Sequence, residues 1–429
     1  MTASRRSATG NGPNPLYYFN GPPALSADGR YVAFASSAVN LVPGVPRNPV
    51  AFLQDVFVRD LQRGQSTLVS SGPYRWSGGA VSADVAFSAD GRYVAFSALG
   101  QLTDQYSPAG GQIYVRDWRT GATRLASIGP NGTGGNTPSF SPSASSNGQV
   151  VAFTSPAVNL FAGPDTNANF DVFAWQAASG TAQLVSVNRT GTGTGNGRSL
   201  EPILSANGRL VAFSSEASDL VNNDTNGWQD VFVRDLLAGT TVLISVNQSG
   251  TSGGLGHSHN PVFSADGRYV AFTSTAGDLV PGDGNGTEDV FVRDLLLGTT
   301  RLVSVNEAGT GSGNSFSSRP SISADNRYVA FQSAASDLAP GNPSSLYNVF
   351  LRDLVSGTTT LVSTRCDGTR SGNALSWHPA LSANGRYVAF TSLATDLTGD
   401  PVVPAVENVF RRDLLTGLFI SQDNDKIIM

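Results

Sequence analysis

The nine-residue string SADGRYVAF begins at Ser26 and returns at Ser88. Variants begin at Ser145, Ser205, Ser264, Ser323 and Ser382, giving seven copies 57–62 residues apart. Self-similarity at a fixed period marks units that cannot bury their apolar faces alone and must stack on one another. A second motif keeps step: DVFVRDL at Asp55, QIYVRDW at Gln112, DVFAWQA at Asp171, DVFVRDL at Asp230 and Asp289, NVFLRDL at Asn348 and NVFRRDL at Asn408. A run such as TRLVSV (300–305) follows each, and a short segment such as PVFS (261–264) precedes each SADGR-type turn. Each period thus holds four short runs, named here A (PVFS-type), B (YVAF), C (DVFVRD) and D (TRLVSV-type). β-branched and aromatic residues dominate them, Gly, Asn, Asp and Pro separate them, and no stretch has a helical period.

Strands B and C are apolar on both faces. In YVAF, Val and Phe point one way while Tyr and Ala point the other; a sheet with one wet face would alternate polar and apolar. Four-stranded sheets covered on both sides and repeated seven times imply an all-β, seven-bladed β-propeller with four antiparallel strands per blade. The A–B turn, Ala-Asp-Gly-Arg, needs a residue with positive φ at its Gly. In the sixth copy that Gly is Asn326, the other residue that tolerates the left-handed region. Residues 21–422 are expected to form the propeller, 1–20 an N-terminal extension in which Leu16–Phe19 adds a seam strand, and 423–429 a tail.

SADGRYVAFxS followed by DVFVRDLxxGTT resembles the TolB-like propeller repeat, a relative of WD-type blades. The resemblance covers nearly the whole chain and implies a scaffold that binds protein or glycan, in the periplasm or secreted from a bacterium. Two departures stand out: seven blades where TolB propellers have six, and a long period with its extra length in the B–C and D–A connections.

Composition excludes several classes. Twenty-seven Lys+Arg against 32 Asp+Glu give a net charge of −5, so no basic footprint for nucleic acid exists. The single Cys, Cys366, excludes an internal disulfide. No run of apolar residues is long enough for a membrane span, and the N-terminus does not read as a signal peptide. A closed ring leaves no sheet edge that demands a partner, so a monomer is expected.

Arg-Asp pairs end strand C in six repeats (Arg59-Asp60 through Arg412-Asp413), and a feature of nearly every blade reads as a structural charge and turn network. The B–C loop of blade four places Asn222, Asp224, Asn226 and Asp230 at loop positions 1, 3, 5 and 9, with Gly227 at 6. That spacing is similar to calcium loops, in which alternate residues turn oxygens onto a hard cation. Asp283, Asn285 and Asp289 repeat it partly in blade five, and Asp165, Asn167 and Asp171 in blade three. The bland alternative is an Asx-rich turn that satisfies its own backbone. In blade six only Asn342 and Asn348 remain.

Function concentrates where repeats differ. The residue before the usual Pro of strand A runs Pro22, Asp84, Ser141, Glu201, Asn260, Arg319 and His378, with His259 and Trp377 one position earlier in two blades. Asp84, Glu201, His259, Asn260, Arg319, Trp377 and His378 are therefore the expected ligand site at the channel mouth, against the alternative of a solvated rim. His257 and His259 on one extended segment lack a third ligand for a transition metal. Gly250-Thr251-Ser252-Gly253-Gly254 fits a serine-hydrolase elbow only formally, having neither the strand nor the helix that the elbow needs. The expected function is a non-catalytic scaffold binding a protein or carbohydrate, with structural calcium; the alternative is a carbohydrate-active enzyme using Glu201, Arg319 and His378. No nucleophile or paired catalytic carboxylates stand out.

Overall fold

A computed structural model describes residues 23–38, 40–42, 54–71, 85–343, 345–399 and 407–422, with two short pieces at 3–4 and 8–9. The expected seam strand at Leu16–Phe19 lies outside these residues, as do Pro22 and Asp84. The described strands form seven four-stranded antiparallel sheets, each with its strands in chain order, and one two-residue pairing near the N-terminus. The fold is a seven-bladed all-β propeller. Among the described residues there is no helix, and so none long and apolar enough to cross a membrane.

Two compact units divide the chain: residues 1–221 with 234–241 and Met429, and residues 222–233 with 242–428. In the first, blade one holds Ala24–Leu25, Tyr31–Ser36, Asp55–Asp60 and Gln65–Leu68. Blade three holds Phe140–Ala144, Val150–Ser155, Asp171–Gln176 and Thr181–Leu184. In the second, blade five holds Ser258–Phe263, Tyr269–Ser274, Asp289–Asp294 and Thr299–Leu302. Blade six holds Ser317–Ile322, Tyr328–Ser333, Asn348–Asp353 and Thr358–Leu361. Blade seven runs from Ser376–Leu381 and Tyr387–Ser392 to Asn408–Asp413 and Phe419–Gln422.

Strands B and C of blades one to six are buried on both faces, as their composition requires, whereas Val409 in strand C of blade seven is exposed. The Phe of strand B is the register partner of an aromatic residue of strand C, Tyr114 in blade two and Phe elsewhere, for example Phe331 with Phe350, whose rings stack 5.8 Å apart. The same pair recurs as Phe34–Phe57, Phe153–Phe173, Phe272–Phe291 and Phe390–Phe410. The small Ala of YVAF sits on the opposite face. In the second unit, Ala271, Val290 and Val292 of blade five join Val329, Phe331 and Leu338 of blade six in one core, so each blade completes its neighbour's.

The charge network differs in detail from the sequence pattern. The Arg and Asp that are adjacent in strand C point to opposite faces, as strand pleating demands. The Asp pairs instead with the Arg of its own blade's A–B turn: Arg30–Asp60, Arg92–Asp117, Arg209–Asp235, Arg268–Asp294, Arg327–Asp353 and Arg386–Asp413, at 2.6–2.8 Å. Asp353 also caps the C–D turn by accepting from the Val355 and Ser356 amides. Arg327 lies over the Tyr328 ring, and its equivalents do likewise in blades one, two, five and seven. The Arg of strand C is half-buried and donates to strand D, as Arg352 does to Thr359.

Asn326 adopts φ +63°, in the place of the Gly used by the other repeats, and its amide donates to Asp266 at 2.7 Å. Asn326→Ala is expected to lower stability by about 1 kcal/mol because Ala pays the left-handed penalty. Asn326→Gly should stay close to wild type, and urea denaturation midpoints distinguish the two.

Candidate functional site

Strand A positions the candidate site. In blades three to seven its pairing with strand B slips by one residue, between Phe140 and Ser143, Leu200 and Ile203, His259 and Val262, Ser318 and Ser321, and Trp377 and Ala380. Each slip is a β-bulge in which a variable residue and the following Pro oppose one residue of strand B. The variable residue is left-handed every time: Ser141 at φ 50°, Glu201 at 55°, Asn260 at 52°, Arg319 at 55° and His378 at 53°. A non-Gly residue there is uncommon, and a residue before Pro normally sits in the β region. Pro itself explains the location, since it cannot donate to a ladder and is confined to edges and bulges. Four of the six described members of the expected ligand site, Glu201, Asn260, Arg319 and His378, thus occupy one repeated, strained backbone position, which Ser141 fills in blade three, while His259 and Trp377 stand one residue before it. Pro within strand A was the sequence signal for the bulge.

The second unit gathers most of them. The His259 Nδ1 lies 2.8 Å from the Asn260 amide nitrogen, a donor, so Nδ1 accepts and the Nε2 proton goes to Glu288, 3.0 Å away. The Ser376 amide donates to the Tyr347 carbonyl at 2.8 Å, which holds Tyr347 beside the start of strand A in blade seven. Tyr347 packs on Phe316 with ring centroids 5.0 Å apart, and Trp377 meets His378 edge-on at 6.3 Å. The His378 amide donates to the Gln332 side chain at 3.0 Å. Burial, then the Arg319 charge, pushes the His378 imidazole below the usual histidine range. In the first unit, Glu201 accepts from Ser214 at 2.9 Å.

Phe316, Glu288 and Tyr347 are additions that the sequence reading missed. Glu288 and Tyr347 stand immediately before strand C, where blades three and four have Phe170 and Gln229. Variation at that register was the available signal. His257 packs on Trp228 at 4.8 Å while His259 turns to Glu288, so the two imidazoles serve different contacts.

The B–C loops form a second ensemble. Asp230 is fully buried and takes a hydrogen bond from Ser245 of strand D, whose oxygen in turn accepts from the Val231 amide. Asn226 donates to Asp230 at 2.6 Å and to the Gly254 carbonyl at 2.7 Å, latching the loop to the following D–A connection. Gly253 makes this possible: a Cβ would lie 2.2 Å from the Asn226 amide nitrogen. Asn285 makes the same two bonds to Asp289 and Gly313. Asn167 bonds Gly195 at 2.7 Å and reaches Asp171 at 3.5 Å. Asp224 and Asp283 are buried near Asp230 and Asp289, whereas Asn222 is exposed. Among the described residues, no three His, Cys, Asp or Glu side chains form a group that would hold an ion. In blade six the equivalent pair is neutral, with the Asn348 amide donating to the Asn342 oxygen at 3.1 Å.

Burial raises Asp230 to about 7, against hydrogen bonds from Ser245 and Asn226, with Asp224 adding repulsion. Burial raises Asp171 to about 7 as well, and pushes Asp289 up with help from Asp283. At the other end of strand C, the hydrogen bond from the turn Arg lowers Asp235 and Asp353 to about 2.

No protein-family model matches the sequence, and no curated protein does. Solved propellers share the architecture. The propeller domain of the Trilobed protease from Pyrococcus furiosus aligns over 96% of this chain and 97% of its own, at 10% identity and TM-score 0.53. Oligogalacturonate lyase from Vibrio parahaemolyticus aligns over 87% and 86%, at 13% identity and TM-score 0.50. TolB from Acinetobacter baumannii aligns over 97% and 87%, at 14% identity and TM-score 0.40. At these identities the likeness is one of fold.

The carboxylates predict a stability maximum in chelator. An acid raised in the folded state favours folding most below its unfolded value of 3.8, and that contribution is lost as pH rises to about 7. The Arg-paired Asp residues act oppositely, their contribution being lost as pH falls from 3.8 towards about 2. Denaturant midpoints in EDTA should therefore peak in the mildly acidic range and decline towards pH 8; a profile rising from pH 5 to pH 8 would contradict these assignments.

Proposed function

We propose that the protein is a non-catalytic, TolB-like propeller scaffold that binds a protein or carbohydrate partner through the strand A bulges. One observation carries this reading. The position that differs in every described bulge, Ser141, Glu201, Asn260, Arg319 and His378, is also the one held left-handed. Strained backbone persists where the surroundings enforce it and clusters at ligand sites. A bulge also re-aims a side chain that regular pleating would direct elsewhere. The repeat's resemblance to TolB supports a periplasmic or secreted location.

The alternative, a carbohydrate-active enzyme using Glu201, Arg319 and His378, needs a carboxyl group working beside the imidazole, whereas the charge acting on His378 is the Arg319 cation and Glu201 accepts a hydrogen bond from Ser214. The scaffold reading is preferred on that ground.

The test replaces Glu201, Asn260, Arg319 and His378 together with Gly, which removes the side chains and suits the positive φ. Partners found for the wild-type chain on glycan and peptide arrays should be lost while thermal melting is preserved. Undiminished binding, or cleavage of a bound sugar seen by mass spectrometry, would sink the reading.

Structural calcium at Asp165 with Asp171, Asp224 with Asp230, and Asp283 with Asp289 is part of the same proposal. Its support is the burial of both carboxylates in the Asp224–Asp230 and Asp283–Asp289 pairs, and of Asp171 beside the half-exposed Asp165, which a cation would neutralise. Asn167, Asn226 and Asn285 would hold the loops closed around it. Millimolar calcium should raise the melting temperature at pH 8 by several degrees over EDTA, through preferential binding to the folded state. Asp224→Ala with Asp230→Ala should reduce that gain, and an identical melt in calcium and EDTA counts against the metal.

A further inference from the structure

Arg319 is the cation that the second unit holds at a strand A bulge. It is exposed and, among the described residues, makes no ion pair. The six Arg of the A–B turns all have Asp partners, and Glu288, whose charge also acts on Tyr347, is taken by His259. The cation is instead fixed at a left-handed bulge, directly before buried Pro320. Its charge acts on Tyr347 and on His378, and each of these carries a ring contact, Tyr347 on Phe316 and His378 edge-on to Trp377. The seam is tied together by the Ser376–Tyr347 backbone bond and by Gln332, which accepts from the His378 amide and donates to Ser318 at 3.2 Å.

We propose that this seam between blades six and seven binds an acidic glycan, with Arg319 and His378 holding the carboxylate of a uronic acid and Tyr347 and Trp377 receiving its ring. The assignment rests on the scaffold reading and specifies its ligand. A guanidinium with unused donors matches a carboxylate bidentately. A His378 ring kept neutral by burial and by Arg319 still offers one N–H. Aromatic faces suit the apolar face of a sugar ring. The backbone argues against a peptide. Adding a strand to an edge needs regular N–H and C=O groups. Here Pro320 and Pro379 lack the N–H, and residues 319 and 378 turn left-handed beside them. Recognition therefore falls to side chains.

Titration calorimetry on the full chain tests this with trigalacturonate, its carboxyl-reduced neutral trisaccharide and hexaglutamate. Trigalacturonate should bind, and the neutral sugar should bind about tenfold or more weakly, as loss of a charge-assisted contact implies. Arg319→Asn, which tolerates the left-handed backbone, should weaken trigalacturonate by a similar factor, while Arg319→Lys keeps part of the affinity. Equal binding of both sugars, indifference to Arg319→Asn, or tighter binding of hexaglutamate would overturn the proposal. If trigalacturonate fails to bind while another array ligand is lost in the four-Gly variant, the uronate assignment falls and the scaffold reading stands. If no array ligand depends on the bulges, both fall.

Discussion

Burial of strands B and C on both faces is the constraint on which the rest of this structure depends. A strand that is apolar on both sides cannot sit in a sheet with one wet face. Blades one, three, five, six and seven stack the Phe of strand B on the Phe of strand C, and small Ala and Val side chains face the next blade, as in the core shared by blades five and six. Isolated, such a blade would expose that surface, which is why the unit has to recur. The Arg–Asp pairs of six blades, with tyrosine contacts in five of them, lie at the ends of these strands and fix the A–B turn to the C–D turn. Such partly exposed pairs contribute modestly to stability; their role is to set geometry.

A frame held so tightly at strands B and C leaves freedom at the edge. Strand A is the least regular strand, and its bulge places one side chain per blade outside the pleat. Variation at this position needs no change to the core. Glu201, Asn260, Arg319 and His378 replace one another at a single backbone position without altering its φ by more than a few degrees. The B–C loops show the same economy in another form. Asp283 with Asp289 and Asn342 with Asn348 occupy the same two places, acids in one blade and amides in the next, with the neighbouring strand D Ser donating to the second member in each.

The architecture was legible because it is written in local chemistry repeated seven times. Gly or Asn at the A–B turn, alternation-free apolar runs and Pro before strand A each have a direct backbone meaning. The candidate site was legible only as a set of varying positions. That Arg59 ignores Asp60, its chain neighbour, follows from pleating and could have been read; that Arg30 takes Asp60 instead required the strand register. The tautomer of His259 required knowing that both Asn260 and Glu288 reach its ring.

The sequence by itself therefore determined the blade, its turns and its number of copies, because those depend on residues close in the chain. Tertiary structure decided which variable residues meet. Phe316, Tyr347, Trp377 and His378 come from segments some thirty residues apart and are brought together by backbone bonds between consecutive blades. The chain pattern shows no such pairing, since the loop that closes each contact carries no local signal of its partner. The same holds for the pull of burial on Asp230, which depends on what surrounds the carboxylate and not on what adjoins it in the chain.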